Sequence, residues 1–188
     1  LTSSGFNVDV INYRNKKHFV NEMRSMFIKK NIIAILSNLI RYVSYRKAQK
    51  RFSMQSMSFD VNKIKSQSYD VIIIGGDIVW EFESSFIGHD PIYYGHGLLS
   101  EKIISYAASA GNAKASDAPF YVKNGIELFS AIGVRDTESL KIAKVVKSDI
   151  EKTIVLDTTL IYDFEETENI NNGKSYILVY AFTVTGSD

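Results

Sequence analysis

The stretch that most restricts the fold is Asp70 to Trp80, read as D-V-I-I-I-G-G-D-I-V-W. Val71 to Ile74 is an unbroken β-branched run, the pattern of a short strand buried on both faces of a parallel sheet. It stops at Gly75-Gly76, a pair that permits positive φ and lets backbone approach a ligand closely. Asp77 follows at once, and Trp80 stands three residues on. In open parallel sheets ligands sit beyond the carboxyl ends of the strands. This order therefore sets a carboxylate where chemistry is usually done. The plainer alternative is that Gly75-Gly76 makes a simple turn and Asp77 caps the next helix.

Taken in order, Val8 to Tyr13 reads as a strand entered from a Gly5 turn. From His18 to about Arg51 the period is helical, with Phe19, Met23, Met26, Ile33, Leu36, Ile40 and Val43 at three- and four-residue steps and a break near Lys30-Asn31. Phe52 to Gln67 is a polar connector with a short helix. Glu81 to Ser100 reads as a long loop, a kind of segment that is usually functional or mobile. It holds His89 and His96, but neither the HExxH pattern nor a His/Cys cluster accompanies them, which argues against zinc. Ile103 to Ala107 is a second buried strand ending in the small residues Ser109-Ala110-Gly111. They suit close approach to a ligand, or tight strand–helix packing. Ser116-Asp117 is expected to cap a helix around Tyr121 to Phe129. Ala131 to Val134 reads as a strand, and Asp136 or Thr137 caps a helix over Glu138 to Val146. Thr153 to Leu156 is another strand. Glu165 to Lys174 reads as a linker, and Tyr176 to Phe182 begins one more strand. Strands alternating with helices point to an α/β fold with a Rossmann-like parallel sheet flanked by helices.

Composition narrows the function classes. Apolar residues make up 45% of the chain, enough for a real core, and the net charge is only +1. No global pull toward nucleic acid or membrane follows. The absence of cysteine removes disulfides, thiolate metal sites and cysteine nucleophiles, and fits a reducing, cytoplasmic setting. No stretch is long enough to cross a bilayer. The dinucleotide fingerprint and the Walker lysine loop are both missing, which disfavours nicotinamide and ATP roles. Charge is nevertheless uneven. Between Arg14 and Arg51 eleven basic residues face Glu22 alone, a local +10 that leaves −9 elsewhere. Such asymmetry marks either a solvated helix face or an anionic surface contact, including a peripheral one at the inner face of a membrane.

Four segments in order carry a resemblance: Gly75-Gly76-Asp77-Ile78-Val79-Trp80, Ser105-Tyr106-Ala107-Ala108-Ser109-Ala110-Gly111, Val134-Arg135-Asp136-Thr137-Glu138-Ser139 and Asp157-Thr158-Thr159-Leu160-Ile161. Their succession resembles the polysaccharide pyruvyl transferase family, whose members show G-S-D-Q-x-W, S-Y-A-x-S-x-G, V-R-[DE]-x-x-S and D-P-T-L-L. Gly76, Ile78 and Thr158 depart from that pattern, and losing the Gln removes a side chain that both donates and accepts. The resemblance implies the N-terminal half of a glycosyltransferase-B-like two-domain fold. Residues 1–164 would form the Rossmann-like domain, and residues 165–188 a linker and the first strand of a second domain. The family's opening strand, glycine turn and helix are missing before Leu1, so the chain is expected to be an excerpt.

The resemblance also implies chemistry. The family moves the enolpyruvyl carbons of phosphoenolpyruvate onto two hydroxyls of a saccharide, free or lipid-linked, as a ketal for exopolysaccharide or cell-wall polysaccharide; phosphoenolpyruvate is the donor substrate and no cofactor is expected. Such a reaction needs an acid, a base and cations. Asp77 would orient or deprotonate an acceptor hydroxyl. His96, or His89, would donate a proton. Arg135 would grip a carboxylate or phosphate, or else pair with Asp136, Glu138 or Asp157. Gly75, Gly76, Trp80, Ser109 and Gly111 complete the expected binding set. A nucleotide-sugar glycosyltransferase and a non-catalytic saccharide-binding fragment are the competing readings.

Overall fold

The computed structural model describes residues 4–28, 31–50, 54–84, 89–146 and 149–161. Their framework is one four-stranded, all-parallel sheet in the order β1-β2-β3-β4, comprising β1 (Ser68–Gly75), β2 (Leu99–Ala108), β3 (Ala131–Val134) and β4 (Glu151–Ile154). The helices are α1 (Lys16–Phe27), α2 (Ile32–Gln49), α3 (Val61–Lys65), α4 (Phe120–Ile126), α5 (Thr137–Ala143) and α6 (Thr158–Ile161). This is the expected Rossmann-like α/β arrangement. The strand expected over Tyr176 to Phe182 lies outside the described residues.

The core gathers on one face of the sheet. Ile72 and Ile74 of β1, Ile103 of β2, and Ile132 and Val134 of β3 meet Val122 and Ile126 of α4 and Ile142 of α5. Trp80, Tyr94 and Phe129 fill the space between them. The indole stacks on Tyr94 with centroids 5.4 Å apart and meets Phe129 edge-on at 5.6 Å. The segment read as a long loop is thus partly structural. Pro91–Tyr94 forms a 3₁₀ turn whose Ile92 and Tyr94 are buried. Tyr94 donates its hydroxyl to the Trp80 carbonyl, and the Trp80 indole donates to the Tyr93 carbonyl.

Two local expectations are corrected, and the outward face of α1 and α2 is a further finding. β1 is not buried on both faces, because Val71 and Ile73 remain 47% and 46% exposed. The reason is that the core packs on one face of the sheet, and Val71 and Ile73 point to the other. The open side of β1 borders a groove of about 770 Å³ whose far wall is Phe6 to Ile11. Val8 to Tyr13 does not join the sheet, and makes only two isolated bridges, Val10 with Met54 and Tyr13 with Ser58. It is tied down instead through Asp90, which accepts from the Tyr13 hydroxyl and from Asn15 Nδ2. Asn15 also caps α1, accepting from the Lys17 and His18 amides, and Asn31 caps α2 through the Ala34 amide. Finally, the apolar stripe of these two helices does not pack on the sheet, since neither helix has a buried residue.

Gly75 and Gly76 are required for different reasons. A Cβ at Gly75 would overlap the Tyr106 carbonyl oxygen of β2, so the close approach there is between strands. Gly76 faces open space and is needed only for its φ of +83°. Gly75→Ala should therefore destabilise the protein by roughly 3 kcal/mol or more. Gly76→Ala should cost only the left-handed penalty of about 1–2 kcal/mol. Urea unfolding of both variants checks this, and equal losses would contradict the assignment.

Candidate functional site

The site is assembled where β1, β2 and β3 end. The last turn of β2 is irregular: its register against β3 shifts between Ser105 and Ala108, and Ala107 sits at φ +53°. A bulge of this kind re-aims the chain that follows. Here it brings Ser109 over the sheet's carboxyl edge. The Ser109 amide donates to the Asp77 carbonyl, and the Ser109 carbonyl accepts from the Trp80 amide. The Arg135 amide donates to the Ala108 carbonyl. One backbone segment thus fastens the loops after β1 and β3 to the end of β2.

Side chains then cross-link the same loops. Asp136 caps α5, accepting from both the amide and the hydroxyl of Ser139 at 2.8 Å. Ser139 is fully buried and its Oγ also accepts from the Ala110 amide at 2.8 Å. Ser109 donates to Asp136 and accepts from the Gly111 amide. Partial burial pushes the Asp136 carboxyl up, but the Ser139 amide and the two serine hydroxyls, with Arg135 nearby, more than reverse it. The net pKa lies below the ordinary carboxylate value. Glu81, buried beneath this turn, accepts from the Asn112 amide at 2.8 Å, and Gly111 leaves the room that its Oε2 occupies. Glu81 and Ser139 were not singled out from the sequence. The Ser139 signal was its place in the V-R-D-x-x-S segment; Glu81 had none.

Arg135 is the centre of the charged groups. Its Nη1 donates to Asp157 Oδ2 at 3.2 Å, and its Nη2 lies 3.8 Å from Asp77 Oδ1. Asp157 is itself fixed by the amide and hydroxyl of Thr159. Those bonds and that from Arg135 hold its pKa below the usual range. The Asp77 side chain is 75% exposed, and beyond Arg135 it accepts the Ile78 amide at 2.8 Å. An exposed ion pair at such a distance is worth at most about 1 kcal/mol. Asp77 can therefore yield its place to an incoming anion, whereas Asp157 holds the guanidinium in position. Asp77 and Arg135 share a site although β2 separates their strands. They sit on an open edge rather than deep in a cleft; the groove beside β1 is lined as far as Gly75 and Val79, and neither Asp77 nor Arg135 lines it.

Two expected residues are placed elsewhere. Trp80 is fully buried with its indole N–H engaged, so it has no face for a substrate. His96 lies in the connection into the amino end of β2. Its Nε2–H donates to the Tyr121 carbonyl at 2.6 Å, and it packs on α4 beside Gly125. Nothing brings it to Asp77. Ser109 and Gly111 adjoin the site but act on the protein's own backbone. His89 stands in a loop at φ +49°. Among the described residues no group of three or more His, Asp or Glu is placed to hold a metal ion.

Two outcomes follow. Ser139→Ala would strand the buried Ala110 amide and should cost about 1–3 kcal/mol in a denaturant titration. Asp136 and Asp157, with lowered folded-state pKa values, contribute stability that is present above about pH 4 and lost as pH falls through those values. Between pH 7 and pH 3, Asp136→Asn should therefore lose less stability than the parent protein; an equal loss would show that Asp136 is not responsible.

No curated protein and no solved structure matches the chain. The family model described as polysaccharide pyruvyl transferase matches residues 1–184, nearly the whole length. The four segments that carried the resemblance are those whose backbones and side chains meet at the carboxyl edge of the sheet. Their order, their meeting point and the family match agree: the chain belongs to the polysaccharide pyruvyl transferase family, a family of transferases.

Proposed function

We propose that the protein transfers the pyruvyl group of phosphoenolpyruvate to two hydroxyls of a saccharide, and that the Asp77–Arg135–Asp157 cluster is its acceptor and anion site. The observation that carries this is Arg135, held by Asp157 yet only loosely paired with the exposed Asp77. In the reaction two C–O bonds form at the central carbon of the donor and its C–O–phosphate bond breaks. The methylene carbon gains one proton, the two hydroxyls lose theirs, and phosphate departs with the remaining proton. Asp77 takes a proton from an acceptor hydroxyl. The planar guanidinium of Arg135 binds the donor's carboxylate or phosphate, a geometry that lysine cannot copy.

His96 has no part in this reading, because its ring is committed to the Tyr121 carbonyl. The cluster holds one cation near Asp77, Asp136 and Asp157, so Arg135 alone does not neutralise phosphoenolpyruvate. Further cations must join it, and the resemblance implies that a second domain supplies them. The chemistry uses a cytoplasmic donor, which sets the protein in the cytoplasm, where exopolysaccharide or cell-wall precursors are built.

The test is phosphate release from phosphoenolpyruvate in the presence of saccharide acceptors. Asp77→Asn keeps the size and the acceptor oxygen for the Ile78 amide, and should slow transfer by about 10²–10⁴-fold at unchanged melting temperature. Arg135→Lys should mainly raise KM for the donor. Near-normal turnover in Asp77→Asn would overturn its role as base, and release of the nucleotide from a nucleotide-sugar, with no phosphate from phosphoenolpyruvate, would overturn the donor.

A further inference from the structure

Among the described residues α1 and α2 leave one face without a partner, and it is independent of the transfer site. On α2, Ile32, Leu36, Leu39, Ile40 and Val43 recur at helical spacing along one face, and they are 76%, 54%, 39%, 68% and 50% exposed. Ile33 beside them is 78% exposed. The opposite side of α2 meets α1, where Asn38 Nδ2 donates to the Met26 carbonyl at 3.2 Å. The exposed stripe is therefore not the seam between the two helices. Along the same face, Lys47 and Lys50 follow Val43 by one and two turns. On α1, exposed Val20 and Phe27 share a face with Lys16 and Arg24. The acid of this region, Glu22, is paired with Arg14 at 3.1 Å.

We propose that this surface docks on an anionic lipid bilayer, with the α2 stripe entering the headgroup–acyl boundary and the flanking lysines and arginines meeting lipid phosphates. The two halves of the surface select this occupant together. An aliphatic stripe has nothing to bury against in a nucleic acid, and a second copy would bring a region of +10 against its like. An anionic bilayer offers both a hydrocarbon boundary and negative charge, the combination that holds interfacial amphipathic helices. No described helix is long and apolar enough to cross the membrane, so the contact is peripheral.

The test is co-sedimentation with vesicles of phosphatidylcholine alone or with about one-third phosphatidylglycerol, at low and physiological salt. The protein should bind the anionic vesicles, more weakly but still measurably at physiological salt, where the stripe remains. Replacing Lys47 and Lys50 with Gln should weaken low-salt binding about fivefold per charge. Leu36→Ser with Ile40→Ser, both on exposed positions, should abolish the binding that survives physiological salt. Circular dichroism checks that this variant keeps its helices. Negligible binding to both vesicles would overturn the proposal. So would retention by the Ser variant, or sedimentation-velocity evidence of a dimer that the Ser substitutions dissolve. None of these outcomes bears on phosphate release, so the lipid contact and the transfer reaction stand or fall separately.

Discussion

The carboxyl edge of the sheet depends on the position of one backbone segment, that of Ser109. Its amide and carbonyl bind the loop after β1, and its hydroxyl reaches the cap of α5 after β3. The segment arrives there because β2 is bulged, with Ala107 in a left-handed conformation that non-glycine residues adopt at a cost. With three loops fastened to one point, Arg135 can reach past the end of β2 toward Asp77, which a flat sheet end would keep a strand further away. Net hydrogen bonds of this kind contribute about 1 kcal/mol each. Their larger effect here is positional, since the polar groups involved are buried and would be costly to leave unmet.

Much of this was legible in the sequence, for identifiable reasons. Ile72 and Ile74 announce a strand because β-branched residues in a short run between turn signals have few other uses, and Ala131 to Val134 was bounded in the same way. Asp136 or Thr137 was expected as a cap, and Asp136 is the one. Side-chain direction was not legible. Trp80 stands at the motif's spacing, yet the chain turns beneath the Ser109 carbonyl there and carries the indole into the core. His96 stood in an apparent loop because the 3₁₀ turn of Pro91–Tyr94 is too short to show a helical period. The bulge at Ala107 left no trace, as alanine gives no sign of positive φ.

The helical stripe shows the same boundary between pattern and place. Periodicity from Phe19 to Val43 correctly gave two helices broken near Asn31, which caps the second. An apolar face normally implies a core. The structure leaves that face outward, with Ile32 and Ile40 largely exposed. A period fixes which residues share a face and not what the face meets. For β1 the converse applies: Val71 and Ile73 look like core residues, yet they point away from the core and line an open groove.

The central claim is that the Arg135 cluster is an anion site for phosphoenolpyruvate, and ligand-dependent melting of the protein tests it most directly. At about a hundredfold excess over the dissociation constant a ligand adds about 2.7 kcal/mol. For a protein of this size that is a rise of roughly 5–10 °C. The account predicts such a rise with phosphoenolpyruvate, none with a nucleotide-sugar, and loss of most of the rise in Arg135→Gln. A rise with nucleotide-sugar alone, or an undiminished phosphoenolpyruvate response in Arg135→Gln, would contradict it.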